Sequence, residues 1–439
     1  MSNHNGSILE LAQQIQTNTN TISQYLQHNS LPPLSLAADA SPFFPGTGPT
    51  NVDKCPRLTE DILNARTQVR EACATLLQLV SGPADATWEF LGGHYMSACM
   101  QYIYHYRLAE GVPVSGDISY KDLATKTGTL EGQCARVLRL AMTKNMFRQS
   151  RAGYVAHTAL SVMLLQPDFL DILGYVTEES FIGAPRLVEA TEKYPGSQDK
   201  NTTPWNLGHN TDLPMFEYFE KHPARLQRFM GAMRSLASGE SYNIDHLVDA
   251  FSWKSLGDGL VVDVGGSFGH CCFEIAAVAP ELRFIVQDLE KVVTQARQEH
   301  AHDKHIERVD FQTHNFFTPQ PVKNADVYLL RFICHDYSDK YAAQILSNIT
   351  PAMGPNSRIV IVDAIMPEVG VLSKFDENRT RIMDMEMMLS FNGCERDVGG
   401  WKSLFEQADP RLELRSSRKI PGNIHAVMEL GIEGMNMIT

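Results

Sequence analysis

The sequence has no Cys-x-x-Cys pair, no excess of basic charge and no apolar run long enough to cross a bilayer. The first absence excludes zinc ribbons and thioredoxin-type redox motifs. The eight cysteines (Cys55, Cys73, Cys99, Cys134, Cys271, Cys272, Cys334 and Cys394) fall mostly inside apolar stretches, so we expect buried free thiols in a reducing compartment, the cytoplasm, and no metal site. Lys and Arg number 38 against 51 acidic residues, a net charge of −13, so neither nucleic acid nor an anionic membrane would attract the chain over long range. The first residues, MSNHNGSILE, lack the charged-then-apolar order of a signal peptide. Gly-x-x-x-x-Gly-Lys-Ser/Thr and Gly-x-Gly-x-x-Gly are also missing. Without them, nothing cradles a triphosphate or clamps a dinucleotide, which disfavours a dehydrogenase. No Gly-x-Ser-x-Gly nucleophile elbow is read in the sequence, so no serine is taken as a hydrolase nucleophile.

What is present centres on residues 259–288, GLVVDVGGSFGHCCFEIAAVAPELRFIVQD. Leu260, Val261 and Val262 form a short β-branched run suited to a strand buried on both faces. Asp263 ends it. Gly265, Gly266 and Gly269 then make a turn where backbone can approach a ligand. A helix to Val278 and a strand from Leu282 to Val286 follow, ending at Asp288, 19 positions after Gly269. Strand, glycine turn, helix, strand and acid open a doubly wound α/β sheet, with the acid placed to accept ribose hydroxyl protons. A ribose with no phosphates to hold points to S-adenosylmethionine.

A chain of 439 residues predicts two domains, which we bound at 1–210 and 211–439. Residues 8–27 have the apolar spacing of an amphipathic helix, 31–56 read as a linker, and Thr59–Val80 resumes a helical pattern. Trp88–Tyr106 is apolar nearly all round, so it is expected to be buried in a core or against another subunit. Residues 119–164 give helix, turn, helix and hairpin, a winged helix. Its would-be recognition helix carries only Arg136, Arg139 and Lys144, so a scaffold for dimerisation and a substrate lid is the better reading than DNA binding. Residues 165–214 read as loop-rich. One helix is expected over MFEYFEKHPARLQRFMGAMRSLAS, with Phe229 and Met233 four apart on one face.

Beyond Asp288 the alternation continues. Strands are expected at Val309–Thr313, Asp326–Phe332 and Arg358–Val362, helices at Lys340–Met353, Arg381–Phe391 and Gly400–Gln407, and a last strand, Ala426–Leu430, closing the sheet. Ligands in such sheets bind beyond the carboxyl ends of the strands. Asp288, His335-Asp336, Asp363 and Glu395 fall at or near those ends. An imidazole there can take a proton from a phenol or enol as its oxygen attacks a methyl group. His335 is the expected base, with Asp363 and Glu395 orienting its ring.

LVVDVGGSFG, FIVQDL, ADVYLLRFICHDYSD, IVIVDAIMP and NGCER, in this order, resemble the caffeic-acid-type O-methyltransferases, especially the fungal branch acting on hydroxylated polyketides and related secondary metabolites. The resemblance implies a Rossmann-like doubly wound methyltransferase sheet behind a mainly α-helical, winged-helix dimerisation domain, in a homodimer that lends residues to the neighbouring site. It implies S-adenosylmethionine held by Asp263, Gly265, Gly266, Gly269 and Asp288, with Asn315, Phe316, Phe317, Arg331 and Tyr337 around it. His335 matches the base, Asp363 and Glu395 the flanking acids. Phe229, Met233, Met387 and Asp336 fall on the side of a small hydroxylated acceptor. Ser267 departs from the usual middle glycine of the turn, and Asn315 and Asp363 are neutral or shorter than the family's common acids. Some fungal members keep the cofactor and catalyse dehydration or pericyclic reactions. That alternative stays open, although a retained His335 favours methyl transfer.

Overall fold

The computed structural model describes residues 6–48, 55–238, 242, 244–419 and 424–434. It divides into two units: Met1–Pro185 with Phe216–Glu240 and Leu372–Phe375, and Arg186–Met215 with Ser241–Val371 and Asp376–Thr439.

In the first unit, α1 (Ile8–His28) starts at a capping box: Ser7 Oγ accepts from Glu10 N–H, and the Glu10 carboxylate accepts from Ser7 N–H. α2 (Glu60–Leu91) runs past the expected end at Val80, bent where Gly82 takes φ +75° before Pro83. α3 (Gly93–His105) buries only Cys99 and Ile103. Of the two burials expected for Trp88–Tyr106, the core of one chain does not supply the first, since Trp88 and Phe90 are each 75% exposed there; burial against another subunit is the one left. The winged helix follows as β1 (Ile118–Ser119), α4 (Tyr120–Thr127), α5 (Glu131–Met142) and β2 (Tyr154–Val155). Ser119 caps α4 through Asp122 N–H, and Gly128 at φ +69° ends it. β2 pairs with β1, ahead of the first helix, while Arg148 and Ala156 bridge across the wing.

The region read as loop-rich contains helices in both units. α6 (Pro167–Tyr175) runs into a π-helical turn at Val176–Ser180, and short helices occupy Leu187–Lys193 and Pro204–His209. Pro167 and Pro204 sit in first turns, where no N–H is missed, so they start helices rather than break them. The single helix expected around Phe229 is two, Met215–Lys221 and α7 (Pro223–Ser238), parted before Pro223.

The second unit carries a seven-stranded sheet: β3 (Leu260–Val264), β4 (Arg283–Asp288), β5 (Val309–Thr313), β6 (Val327–Arg331), β7 (Arg358–Ala364), β8 (Leu412–Lys419) and β9 (His425–Ile432). Their order is β5-β4-β3-β6-β7-β9-β8, parallel through β7 and antiparallel at the last two pairings. The chain leaves β3 in one direction and returns to β6 on its other side. The switch point thus lies between these two strands, where an open α/β sheet forms its crevice. Helices α8 (His270–Val278), α9 (Glu290–Glu299), α10 (Asp339–Ile349), α11 (Lys374–Phe391) and α12 (Val398–Ala408) complete the alternation. β9 does not close the sheet as expected. It lies inside, and β8 is the edge, whose LELRSSRK pattern buries only Leu412. Val262, Leu330, Ile359, Ile361 and Met428 on one face of the sheet pack with Ile345, Leu346, Trp401 and Phe405 from α10 and α12.

Candidate active site

The turn after β3 is bare by necessity. Gly265 has φ +75°, and a Cβ there would lie 2.6 Å from Ile333 Cδ1. At Gly266 a Cβ would lie 2.5 Å from Asp263 Cγ. Asp263 itself is buried beneath the turn, where Cys272 Sγ–H donates to it at 3.4 Å and burial pushes its carboxyl up to about 6. It supports the turn from below. Asp288, at the end of β4, accepts from Ser267 N–H at 2.9 Å and Leu289 N–H at 2.7 Å, leaving lone pairs for two hydroxyls. Ser267 takes φ +52°, a conformation a glycine would hold without strain.

Residues 265–269, GGSFG, also spell the Gly-x-Ser-x-Gly of a hydrolase nucleophile elbow at a strand-to-helix turn, a match the reading of the sequence passed over. Among the described residues, however, the Ser267 hydroxyl meets no histidine; the hydrogen bond at Ser267 runs from its N–H to Asp288.

Asn315 Oδ1 accepts from Phe317 N–H, and the Phe316, Phe317, Tyr337 and Tyr341 rings meet edge to face at 4.9–6.0 Å. Arg331 donates to Tyr242 O at 2.8 Å and lies 4.0 Å over the Phe332 ring. A backbone turn that a Cβ would fill, a carboxylate one strand over and a patch of aromatic edges suit an adenosyl group without phosphates.

His335 follows β6 in a tight turn, Cys334–Asp336, reached through Phe332 at φ +57°. The residue is buried, 6% exposed. Glu395 Oε1 lies 2.8 Å from Nδ1, and Asp336 Oδ1 lies 3.5 Å from Nε2. Asp363 is fully buried at the end of β7. Its Oδ1 accepts from Phe332 N–H at 3.0 Å, while Oδ2 has no hydrogen-bond partner among the described residues. The two acids expected to orient the ring thus divide the work, Glu395 on the ring and Asp363 on the backbone that leads to it. Burial alone would push the imidazole down, but the charges of Glu395, Asp336 and Asp363 outweigh it and hold the ring up at about 10. Burial raises Asp363 to about 7 and Asp336 to about 6.

Glu395 is itself held by its N–H donating to Asp384 Oδ1 at 2.9 Å. Gly393 N–H donates to the Met387 carbonyl, and Met387 is buried in α11. Phe229 and Met233 lie on α7 in the first unit, Phe229 among Tyr175, Phe216 and Phe219 at 5.5–5.6 Å. Sequence reasoning missed Asp384, Arg396, Tyr242 and His425. The Phe332 ring sits 5.8 Å from His335 and 4.5 Å from His425. The signal for Arg396 was in hand, as the last letter of NGCER.

Residues 195–409 match an O-methyltransferase domain, and residues 88–167 an O-methyltransferase dimerisation domain. O-methyltransferase aurJ of Gibberella zeae is 35% identical over 439 residues, spanning 97% of this chain and 98% of that protein. The chain belongs to the O-methyltransferase family. As such an enzyme it uses S-adenosylmethionine, which the turn and Asp288 fit. This O-methyltransferase shares its fold with OxaC, solved with SAH and oxaline (TM-score 0.74, 22% identity, 96% of this chain and 100% of that one). A pericyclic reaction enzyme is similar too (TM-score 0.71, 25% identity, 84% and 94%). Among the described residues no single helix is long and apolar enough to cross a membrane.

Proposed function

We propose that this O-methyltransferase methylates a phenolic or enolic hydroxyl of a small secondary metabolite, with His335 as the base. The observation that carries the reading is the buried contact between His335 Nδ1 and Glu395 Oε1 at 2.8 Å. With Nδ1 committed to a carboxylate, Nε2 is the nitrogen left to exchange a proton with an acceptor. The turn of Gly265, Gly266 and Gly269, with Asp288 at the ribose and Asn315, Phe316, Phe317 and Tyr337 at the adenine, holds the cofactor, and Arg331 stands beside it. When bound, the cofactor supplies an electrophilic methyl group on a sulfonium. Phe229, Met233, Met387 and Asp336 are proposed to line the acceptor side.

The acceptor hydroxyl gives its proton to Nε2 as its oxygen attacks, and the positive ring that forms is stabilised by Glu395 through Nδ1–H. The carboxylates around the ring favour its charged form. The ring must first be neutral. A cation and an apolar acceptor brought against it both favour that form. We place the enzyme in the cytoplasm as a homodimer, with residues 1–210 as its dimerisation part and 211–439 as its catalytic part, α7 packing in the first unit.

S-adenosylhomocysteine release over a panel of hydroxylated aromatic polyketides, wild type against His335→Ala, tests the reading. Acceptor-dependent release that collapses in the variant, with cofactor binding intact by calorimetry, is the expected result. The likeness to a pericyclic reaction enzyme supplies the second reading: acceptor consumed with no S-adenosylhomocysteine formed would establish it instead.

A further inference from the structure

We infer that Arg396 is the positioning residue of this catalytic centre, clamping the turn that carries His335 to the segment that carries Glu395. Its side chain is 2% exposed, and each of the three guanidinium nitrogens has a partner. Nη1 donates to Cys334 O at 2.8 Å, Nη2 to Tyr337 O at 2.7 Å and Nε to Asp339 Oδ1 at 2.8 Å. The two carbonyls are those on either side of His335-Asp336, and Asp339 opens α10 just beyond.

The backbone completes the clamp. Cys394 N–H donates to the carbonyl of His335 itself at 3.1 Å. The Arg396 carbonyl accepts from Met366 N–H at 2.8 Å, and Arg396 bridges Ile365 in parallel, two residues past Asp363 on the extension of β7. Residues 394–396 therefore run between the His335 turn and the β7 extension, and Glu395 points from this rung to Nδ1. The rung can come this close only because residue 393 is glycine: a Cβ there would stand 2.2 Å from His335 O.

Arginine is the side chain this geometry calls for. A planar fork with five donors spans two carbonyls and a carboxylate at once, which a lysine ammonium on a flexible stem does not. A buried arginine that only filled space or satisfied stray carbonyls would have no reason to grip the turn on both sides of the base. Arg396 does so from the residue next to the base's own partner, and its charge also opposes the burial that raises Asp363.

The inference rests on His335 being the base, so His335→Ala is measured alongside, and activity surviving there removes the base reading whatever Arg396 does. In the full-length enzyme, Arg396→Ala is expected to lower kcat on the order of 10²-fold, as misplacement of a catalytic group does. Acceptor KM and S-adenosylhomocysteine affinity by calorimetry should change by much less than kcat, because of the groups proposed to meet acceptor and adenine only Asp336 and Tyr337 ride on the clamped turn, and the cofactor turn is not touched. The ring, less firmly held by Glu395, should titrate lower, moving the kcat/KM profile toward acid. Guanidinium added to Arg396→Ala should restore part of the lost rate, and Arg396→Lys should stay slow, with the charge kept and the fork lost. An Arg396→Ala enzyme with wild-type kcat and profile would overturn the inference. So would joint loss of rate and cofactor binding in both variants without a response to guanidinium, because that is the behaviour of a residue that only holds the fold.

Discussion

Glu395 Oε1 sits 2.8 Å from Nδ1 of His335, although 60 positions of chain separate the two residues. β6 delivers the histidine, and the loop after α11 returns the glutamate. Both are buried, so the carboxylate meets the ring with little solvent to screen it. Glu395→Gln keeps an oxygen that can accept from Nδ1–H but removes its charge. The ring is held at about 10 by Glu395 together with Asp336 and Asp363, against burial, so the variant ring should titrate nearer the usual 6.5. A base works when unprotonated, so the rising limb of the kcat/KM–pH profile should move to lower pH while the plateau rate falls. His335→Ala should lose about 10²–10⁴-fold at every pH. A Glu395→Gln profile that overlays the wild type would mean that the contact does not set the ring.

Asp363 makes a separable prediction about stability. Its carboxyl is raised from 3.8 to about 7 by burial, then by its acidic neighbours, against the opposing charge of His335. The folded state therefore binds this proton more tightly than the unfolded chain. That contribution to stability is present at low pH and is lost as pH climbs from about 4 through about 7. His335 adds to the same trend, since a ring raised above 6.5 stabilises below that pH and loses its contribution as pH rises toward about 10. Asp363→Asn cannot titrate, and its amide oxygen can still accept from Phe332 N–H. Urea unfolding should find the variant more stable than wild type at pH 8.5, by at most about 4 kcal/mol less whatever His335 loses, with the gap closing near pH 4. A wild type that gains on the variant as pH rises would contradict this account.

The parts of the molecule that declare themselves in sequence are those whose physics is local. LVV before GGSFG is a strand because β-branched residues suit a sheet buried on both faces, and its glycines mark where a Cβ would strike Ile333 or Asp263. His335 was legible from its place at the end of an apolar run. β8 was not, because an exposed edge strand keeps little of the alternation that betrays a half-buried one. Pro204 misled because the same residue that breaks a helix interior opens a first turn. Asp384 and Arg396 left no periodic signal at all. Asp384 accepts from Glu395 N–H 11 positions away and Arg396 donates to Cys334 O 62 positions away, and only the folded chain brings those groups together.

At the cofactor turn, Gly265→Ala combines two penalties: a side chain at φ +75° and a Cβ 2.6 Å from Ile333 Cδ1. The first costs about 1–2 kcal/mol, and the second is relieved only by moving Ile333, two residues before His335. Affinity for S-adenosylhomocysteine by calorimetry should drop at least about ten-fold. Ser267→Gly, at φ +52°, should leave that affinity equal or better, because it relieves strain without filling the turn. Equal affinity in wild type and Gly265→Ala would show that the turn does not face the cofactor.

Trp88 and Phe90, both 75% exposed near the end of α2, and Tyr95 at 61% on α3 leave a row of aromatic surface uncovered in one chain. Their segment opens the part of the chain that matches a dimerisation domain, residues 88–167. An aromatic side chain buries on the order of 150–250 Å² when covered, at about 25 cal/mol per Å², so covering two per protomer contributes several kcal/mol to association. The double variant Trp88→Glu/Phe90→Glu removes that contribution and sets a charged, strongly hydrated side chain at each position. Light scattering at micromolar protein should therefore give a dimer for wild type and a monomer for the variant, with the circular dichroism of the fold unchanged. If the partner completes the acceptor site, the monomer should lose turnover while retaining S-adenosylhomocysteine binding. Turnover preserved in the monomer would place every required residue in one chain. A variant that remains dimeric would move the interface away from this aromatic row.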